Sequence, residues 1–111
     1  MPKDERVYLR HMLDAARKIE VFTAGRQRAD LENDEMLSLA VVRLLEILGE
    51  ASRNISSDLR QRNPQIPWAA IAGTRNRLIH GYFDVDLDIV WAIVVQDIPN
   101  LIPQIEKLLE E

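Results

Sequence analysis

The segment from Gly73 to Tyr82 gathers side chains that can transfer protons and stabilise negative charge. A histidine, whose unperturbed pKa is about 6.5, can take up and return a proton near neutral pH. A guanidinium can stabilise the charge that develops on phosphate oxygens. Arg75 and His80 therefore supply the two groups needed when a ribose 2′-hydroxyl attacks the adjacent phosphodiester.

On one continuous helix, Arg75 would fall within an apolar row. At about 100° per residue, one stripe contains Trp68, Ile71, Arg75, Leu78, Ile79 and Tyr82. A guanidinium in such a row needs a partner, because a buried unpaired charge costs on the order of several kcal/mol. Asn76 and His80 are four residues apart and would be neighbours on the other face, where the amide could fix the imidazole tautomer.

The same helix would place Arg75 and His80 about 140° apart around its axis. An ideal helix thus cannot bring both side chains onto one small substrate group. Either the helix unwinds at Gly81, or a second copy of the chain supplies the missing half across a two-fold axis. In a purely structural alternative, His80 caps the helix C-terminus and Arg75 makes an internal ion pair.

A charged row on the predicted central helix offers partners for Arg75. Arg43, Glu46, Glu50 and Arg53 follow one another at i, i+3, i+7 and i+10, so they share one face. Glu46 or Glu50 could pair with Arg75, or the row could be a partly solvated stripe of intrahelical pairs. No His or Asp constellation accompanies the two glutamates, so we assign no metal and no cofactor.

The remaining aromatic and imidazole side chains carry less information. Tyr82 follows the expected helix stop at Gly81, where its phenol could be exposed enough to be modified or could simply pack its ring. Tyr8, Trp68 and Trp91 are assigned to the core or an interface, and His11 is given no role.

Composition favours an all-α domain that would position these groups. The chain has 111 residues, of which 47% are hydrophobic and 29% charged, with four glycines and five prolines. This is enough apolar surface for one core, and too few turn residues for a sandwich or barrel. We predict a single domain over residues 1–111, an up-and-down bundle of four to five helices.

Periodicity and capping signals set the expected helix bounds. The first helix should run from Asp4 to about Ala24, and the second from an N-cap at Asn33 to about Ile55. The second is apolar almost all round, which predicts a central helix buried on several sides.

The second half should contain shorter helices. A short third one should begin at the capping residues Ser56 to Asp58 and stop at Asn63, and a fourth should run from Pro67 to about His80. A loop over 81–86 should precede a last helical segment from Asp86 to Glu111. Its two prolines, Pro99 and Pro103, predict two pieces that meet near residues 97 to 100.

Charge and cysteine content limit the possible functions. The net charge is −4, divided into +2 for residues 1–77 and −6 for residues 78–111. An acidic chain binds nucleic acid poorly unless a local arginine cluster holds it. The absence of cysteine excludes disulfides, thiolate metal sites and a cysteine nucleophile.

The ends and apolar runs of the sequence favour a protein of the cytoplasm with no membrane association. The first residues are mixed in charge, and no apolar stretch of a secretory signal follows them. The longest apolar run, Ile89 to Val95, is well short of the about 20 residues that span a bilayer.

The segment Arg75 to Tyr82 resembles the R-x4-H-x-Y signature of the HEPN superfamily, specifically of HepT-like toxins that pair with MntA-like minimal nucleotidyltransferases. Three flanking stretches strengthen the resemblance: residues 45–51 resemble the family's central-helix motif, Pro67 and Trp68 the entry to its motif helix, and residues 80–86 with Val90 and Trp91 its downstream segment. The resemblance extends over essentially the whole chain.

The resemblance implies a homodimer with a metal-independent ribonuclease cleft at its interface. Arg75 and His80 of the two protomers would act on RNA there, supported by Asn76, Glu46 and Glu50. It further implies that the partner nucleotidyltransferase neutralises this toxin by transferring AMP from ATP to Tyr82. Phosphate added at that position would compete with RNA for the cleft.

Two other function classes remain open from the sequence. The acidic charge balance also fits a non-catalytic helical adaptor that binds nucleotide or presents a substrate to a nucleotidyltransferase. A helical module with no site at all is the third possibility, against which the position of Arg75 in an apolar stripe counts.

Overall fold

The computed structural model describes residues 3–80 and 84–110, and within these ranges it is almost entirely helical, which confirms the all-α class. The elements are α1 (Lys3–Thr23), α2 (Asp30–Asn33), α3 (Glu35–Ser52), α4 (Ser57–Arg62), α5 (Trp68–Ala72), α6 (Thr74–Leu78), β1 (Ile79–His80), β2 (Asp84–Val85), α7 (Leu87–Ala92), a π-helical turn (Ile93–Asp97) and α8 (Ile98–Glu110).

The core lies where α1 packs against α3 and α8. Its fully buried side chains include Leu9, Met12 and Ile19 of α1, Leu45 of α3 and Ile105 of α8. Burial of each such side chain contributes about 1.5–3 kcal/mol. The first helix ends as expected, with Gly25 in the left-handed region at φ 72°.

The central helix α3 begins one residue later than predicted. Its N-cap is Asp34, whose carboxylate accepts a 3.1 Å hydrogen bond from the backbone N–H of Leu37. Asn33 cannot serve as the cap because it already ends α2, an element that the sequence analysis did not predict. The helix also ends at Ser52, three residues before the predicted Ile55.

The prediction that α3 is buried on several sides is wrong for its first turns. Met36 is 82% exposed and Leu39 is 62% exposed. They lie three residues apart on the face that continues to Arg43 and Glu46. The core instead receives Leu37, Val41, Leu45 and Leu48 from the opposite face.

The predicted fourth helix is divided at Gly73 into α5 and α6. The Thr74 hydroxyl, which is buried, donates a 2.7 Å hydrogen bond to the backbone oxygen of Ile71 across this break. Thr74 and Leu78 consequently face the core, while Arg75 is exposed. The prediction of Arg75 in a buried apolar stripe is therefore wrong, because the stripe required an uninterrupted helix.

The chain leaves the helix at Ile79, whose backbone is extended at φ −110° and ψ 121°. Strand β1 pairs antiparallel with β2, with Ile79 opposite Val85 and His80 opposite Asp84. The predictions of helix as far as His80 and of loop at Asp84 and Val85 are wrong. Residues 81–83 of that predicted loop lie outside the described residues.

The helical segment after Asp86 consists of pieces that meet where its prolines predicted. Asp86 caps α7 by accepting hydrogen bonds from the backbone N–H groups of Asp88 and Ile89. The π-helical turn then leads into α8 at Ile98, within the range expected from the prolines. Pro99 directly follows this turn as the second residue of α8, and Pro103 lies inside α8.

A charged contact ties α7 to α2. Arg28 Nε donates a 2.7 Å hydrogen bond to a carboxylate oxygen of Asp88, and its Nη1 pairs with Glu32 at 2.9 Å. The hydrogen bond to Asp88 raises the pKa of the Arg28 guanidinium above its ordinary value, with Glu32 adding to the effect. Among residues 3–80 and 84–110, no helix is long and apolar enough to cross a bilayer.

Candidate functional site

A polar cavity of about 700 Å³ lies between α3 and the α5–α6 segment. It is lined by Arg43, Leu45, Glu46, Gly49, Glu50, Arg53, Ala72, Arg75, Asn76 and Ile79. The charged row of the central helix thus forms one wall, and α6 forms the other. Three guanidiniums face two carboxylates there, so the cavity is locally cationic in an acidic protein.

The three arginines differ in how they are held. Arg53 Nη2 donates a 3.0 Å hydrogen bond to the backbone oxygen of Ala72, and its Nη1 lies 3.9 Å from Glu50 Oε1. These contacts fix the Arg53 side chain between α3 and the end of α5. Arg43 and Arg75 have no hydrogen-bonded or ion-paired side-chain partner in the part of the chain that the structure describes. Both can therefore bind an anion without breaking an existing contact.

The close approach of α3 and α5 depends on Gly49. A Cβ atom at this position would lie 2.9 Å from the backbone oxygen of Ile71, closer than side-chain carbons normally approach. Gly49 belongs to the stretch of residues 45–51 that resembles a family motif, but its role in this helix contact was not predicted from the sequence. A lone glycine inside a strongly helical pattern is the signal that points to such a contact.

The short helix α6 presents different residues to two cavities. Arg75 and Asn76 line the polar cavity, while Thr74 and Arg77 line a separate one of about 390 Å³ beside α8. Arg75 and Arg77 are two residues apart, which is about 200° around a helix axis. The two arginines of the signature segment consequently point to opposite sides of α6.

Four of the six predicted site residues line the polar cavity: Arg75, Asn76, Glu46 and Glu50. Among the described residues Arg75 makes no ion pair with either glutamate, whereas Glu50 pairs with Arg53 of its own row, so of the two alternatives the structure shows the intrahelical pair. The imidazole of His80 and the whole of Tyr82 lie outside the described residues. Their predicted roles stay predictions.

The extended conformation at Ile79 changes the argument that joined Arg75 to His80. The 140° separation applies only to a continuous helix, and His80 lies in a strand. For the same reason, Asn76 and His80 are not neighbours one helical turn apart. A second copy is therefore no longer required by the helical geometry, and its prediction rests on the family resemblance.

Tyr8 and His11 of α1 line a third, smaller hollow that was not predicted from the sequence. It measures about 200 Å³ and is also lined by Arg43, Ile47, Glu50, Ala51 and Asn54. Arg43 and Glu50 line both this hollow and the polar cavity. The signal in the sequence was the spacing of Tyr8 and His11, which places two planar rings on one helix face.

No three His, Asp or Glu side chains come together as a metal site would require, within residues 3–80 and 84–110. The polar side chains that line the polar cavity are guanidiniums, carboxylates and the amide of Asn76.

Comparison with known proteins identifies the family. Residues 12–108 match the family model described as ribonuclease HepT-like, so the chain belongs to the HepT-like ribonuclease family. This confirms the resemblance drawn from the signature segment.

Several named relatives are similar over the full length of the chain. A protein of Thermococcus cleftensis, named as a probable ribonuclease HepT, is 42% identical over 108 residues, which is 97% of this chain and 98% of its own length. A protein of Caldanaerobacter subterraneus subsp. tengcongensis, provisionally named as an RNase, is 37% identical over 98% of this chain and 97% of its own length.

One relative is longer. A Methanocaldococcus jannaschii protein, named as a gamma-glutamylcyclotransferase and provisionally as an RNase, is 40% identical over all of this chain, which spans 50% of the relative's length. No solved structure gives a significant match.

Proposed function

We propose that this protein is a metal-independent endoribonuclease toxin that cleaves RNA in the polar cavity. The observation that carries the proposal is the exposed Arg75 guanidinium, which lines a cationic cavity and has no side-chain partner in the described residues. Membership of the HepT-like ribonuclease family supports RNA as the substrate.

The proposed reaction needs only protein side chains. The His80 imidazole takes the proton of a ribose 2′-hydroxyl, whose oxygen attacks the adjacent phosphorus. Arg75 stabilises the additional negative charge on the phosphate oxygens. The bond between phosphorus and the 5′-oxygen breaks, water donates a proton to that oxygen, and His80 returns its proton to the solvent, which gives a 2′,3′-cyclic phosphate and a free 5′-hydroxyl.

The remaining cavity residues have supporting roles in this proposal. Arg43 and Arg53 bind neighbouring phosphates, because a guanidinium presents a planar fork that fits phosphate oxygens. Asn76 and the glutamates Glu46 and Glu50 orient these groups. The dimer would bring two copies of this segment together in one cleft.

Regulation by a partner completes the proposal. An MntA-like nucleotidyltransferase would neutralise the toxin: the Tyr82 phenol oxygen attacks the α-phosphorus of ATP, and pyrophosphate leaves. Each added phosphodiester carries a negative charge close in sequence to Arg75 and His80. It would compete with the RNA backbone for the same guanidiniums.

RNA cleavage in excess EDTA tests the nuclease directly. We expect freshly purified protein, shown by intact mass to be unmodified, to cleave RNA into fragments with cyclic phosphate ends. His80→Ala and Arg75→Ala should each reduce the rate by at least about 100-fold, the usual scale for loss of a proton-transfer or charge-stabilising group. Arg62→Ala is the matched control, because Arg62 pairs with Asp58 on α4, away from the cavity.

Two outcomes would contradict the proposal. Equal activity in the His80 and Arg75 variants would show that these residues are not catalytic. Intact RNA with dimeric, unmodified wild-type protein over several RNA classes would instead favour the non-catalytic adaptor, which should then bind nucleotide in the polar cavity.

A further inference from the structure

Two hollows lie beside α3: the polar cavity next to α6 and the smaller hollow next to α1. The two hollows together are called the groove. Because both are lined by Arg43 and Glu50, the two spaces adjoin at those side chains. Any chain of nucleotides bound at Arg75 could therefore extend past Arg43 towards α1.

Two aromatic rings stand at the α1 end of this groove. The ring centroids of Tyr8 and His11 are 6.0 Å apart, and their planes are nearly perpendicular at 89°. This edge-to-face contact holds the two rings against each other, and a planar base can stack on a ring face that the contact leaves open. His11 is exposed and Tyr8 is half-buried against the core.

Hydrogen-bonding groups surround the same hollow. The Asn54 side-chain nitrogen donates to the backbone oxygen of Glu50 at 3.1 Å, which orients the amide. The Asn54 side-chain oxygen has no donor among the described residues, and the Glu50 carboxylate also lines the space. Both oxygens can accept from the ring N–H or amino groups of a base.

We propose that the hollow lined by Tyr8 and His11 binds an unpaired base of the RNA substrate, stacked on the exposed His11 ring, which the Tyr8 ring holds in place. Arg43 binds the phosphate that connects this nucleotide to the one held at Arg75. This inference rests on the proposed ribonuclease function and adds the substrate class: single-stranded RNA rather than a duplex. A base in a duplex is stacked on its neighbours, so aromatic side chains recognise splayed bases.

Fluorescence of a base analogue tests the stacking without requiring cleavage. The probe is a short single strand of 2′-O-methyl RNA that carries one 2-aminopurine; it cannot be cleaved because its 2′-oxygen is blocked. We expect wild-type protein to quench the fluorescence when it binds. His11→Ala and Tyr8→Ala should each weaken binding about tenfold, which is in the range measured when base-stacking aromatics are removed.

Two further variants control for structural damage. Phe22→Ala removes an exposed aromatic ring from the other end of α1, away from both cavities, and should leave binding unchanged. Tyr8→Phe retains the ring that also packs on the core and should bind as wild type does. Unchanged binding and quenching in His11→Ala and Tyr8→Ala would overturn the base site.

Cleavage of unblocked RNA by wild-type protein, measured in parallel, separates this inference from the function on which it rests. If wild-type protein cleaves RNA but quenching does not depend on Tyr8 or His11, only the base site is overturned. If RNA stays intact while quenching depends on both rings, the nuclease is overturned and the base site is supported. If wild-type protein neither cleaves RNA nor binds the probe, both the nuclease and the base site are overturned.

Discussion

The absence of a side chain at residue 49 determines how closely two helices approach. Gly49 of α3 faces the last turn of α5, and a methyl group there would meet the backbone oxygen of Ile71 at 2.9 Å. The position of α5 in turn determines where α6 holds Arg75 and Asn76. The width of the polar cavity thus depends on a residue with no functional group of its own.

Replacing Gly49 with alanine should destabilise the fold and weaken the site together. The helix must shift away from the backbone of Ile71, at a cost of about 1–3 kcal/mol in the free energy of unfolding. Denaturant unfolding measures this cost. Gly73→Ala is the comparison variant: its Cβ would lie 3.2 Å from the backbone oxygen of Ala69, so it should lower the free energy of unfolding by less than Gly49→Ala does. Equal losses in the two variants would contradict the close approach of α3 and α5 at Gly49.

Helix caps explain where the sequence analysis succeeded and failed at the scale of elements. The capping residues Ser56 to Asp58 were expected to begin α4, and Ser56 is the one whose side chain accepts from the backbone N–H of Leu59. Asn33 and Asp34 are both good caps and stand side by side, so the sequence alone could not choose between them. The choice depends on α2, a single turn whose stability comes from packing Leu31 into the core.

The cap of α3 can be tested by a pair of neighbouring substitutions. Asp34→Ala should lower the free energy of unfolding by about 1 kcal/mol, because the N–H of Leu37 loses its acceptor. Asn33→Ala, at an exposed position with no capping bond, should change it by less than about 0.5 kcal/mol. Thermal unfolding of both variants measures the difference. A larger loss of stability in Asn33→Ala than in Asp34→Ala would instead support Asn33 as the N-cap, as the sequence predicted.

The site itself was predicted in part. The spacing of Glu46 and Glu50 predicted one face of the central helix and Arg75 as a group opposite it, and all three line the cavity. Asn76 lines the same cavity, although the spacing placed it on the other face of its helix from Arg75. The exposure of Arg75 was not predicted, because the helical spacing of apolar residues does not reveal that the helix is divided at Gly73. A glycine inside an apolar helical pattern is compatible with both a continuous helix and two short ones.

At the scale of the whole molecule, the charge distribution decides how RNA could bind. The chain has a net charge of −4, yet three arginines line one cavity. Residues 78–111, with a net charge of −6, repel a phosphate backbone. Binding should therefore be local to the cavity and strongly dependent on salt.

The salt dependence of RNA binding measures how many phosphates the cavity neutralises. Arg43→Ala should reduce the slope of log affinity against log salt concentration by about 0.7, the contribution of one contact with a single strand. Arg62→Ala, outside the cavity and paired with Asp58, should leave the slope unchanged. A fluorescence titration at four salt concentrations is sufficient, and equal slopes for all three proteins would exclude Arg43 from the interface.

Mixing two inactive variants tests whether the cleft is shared between subunits. A heterodimer of Arg75→Ala and His80→Ala retains one Arg75 and one His80, on different copies. If the cleft uses these residues from both copies, the mixture should recover part of the cleavage activity that each variant lacks. No recovery in a heterodimer confirmed by native mass spectrometry would contradict sharing and favour a site within one subunit.

The π-helical turn at Ile93–Asp97 has a consequence for the length of the chain. Such a turn contains one residue more than a turn of α-helix, so it stores the equivalent of a single-residue insertion. Deleting one residue there would remove the extra residue and give a regular α-helix, with α7 in nearly the same orientation relative to α8. Asp86, Asp88 and strand β2 would keep their positions, so this turn is the place in the last helical segment where the chain could lose one residue at least structural cost.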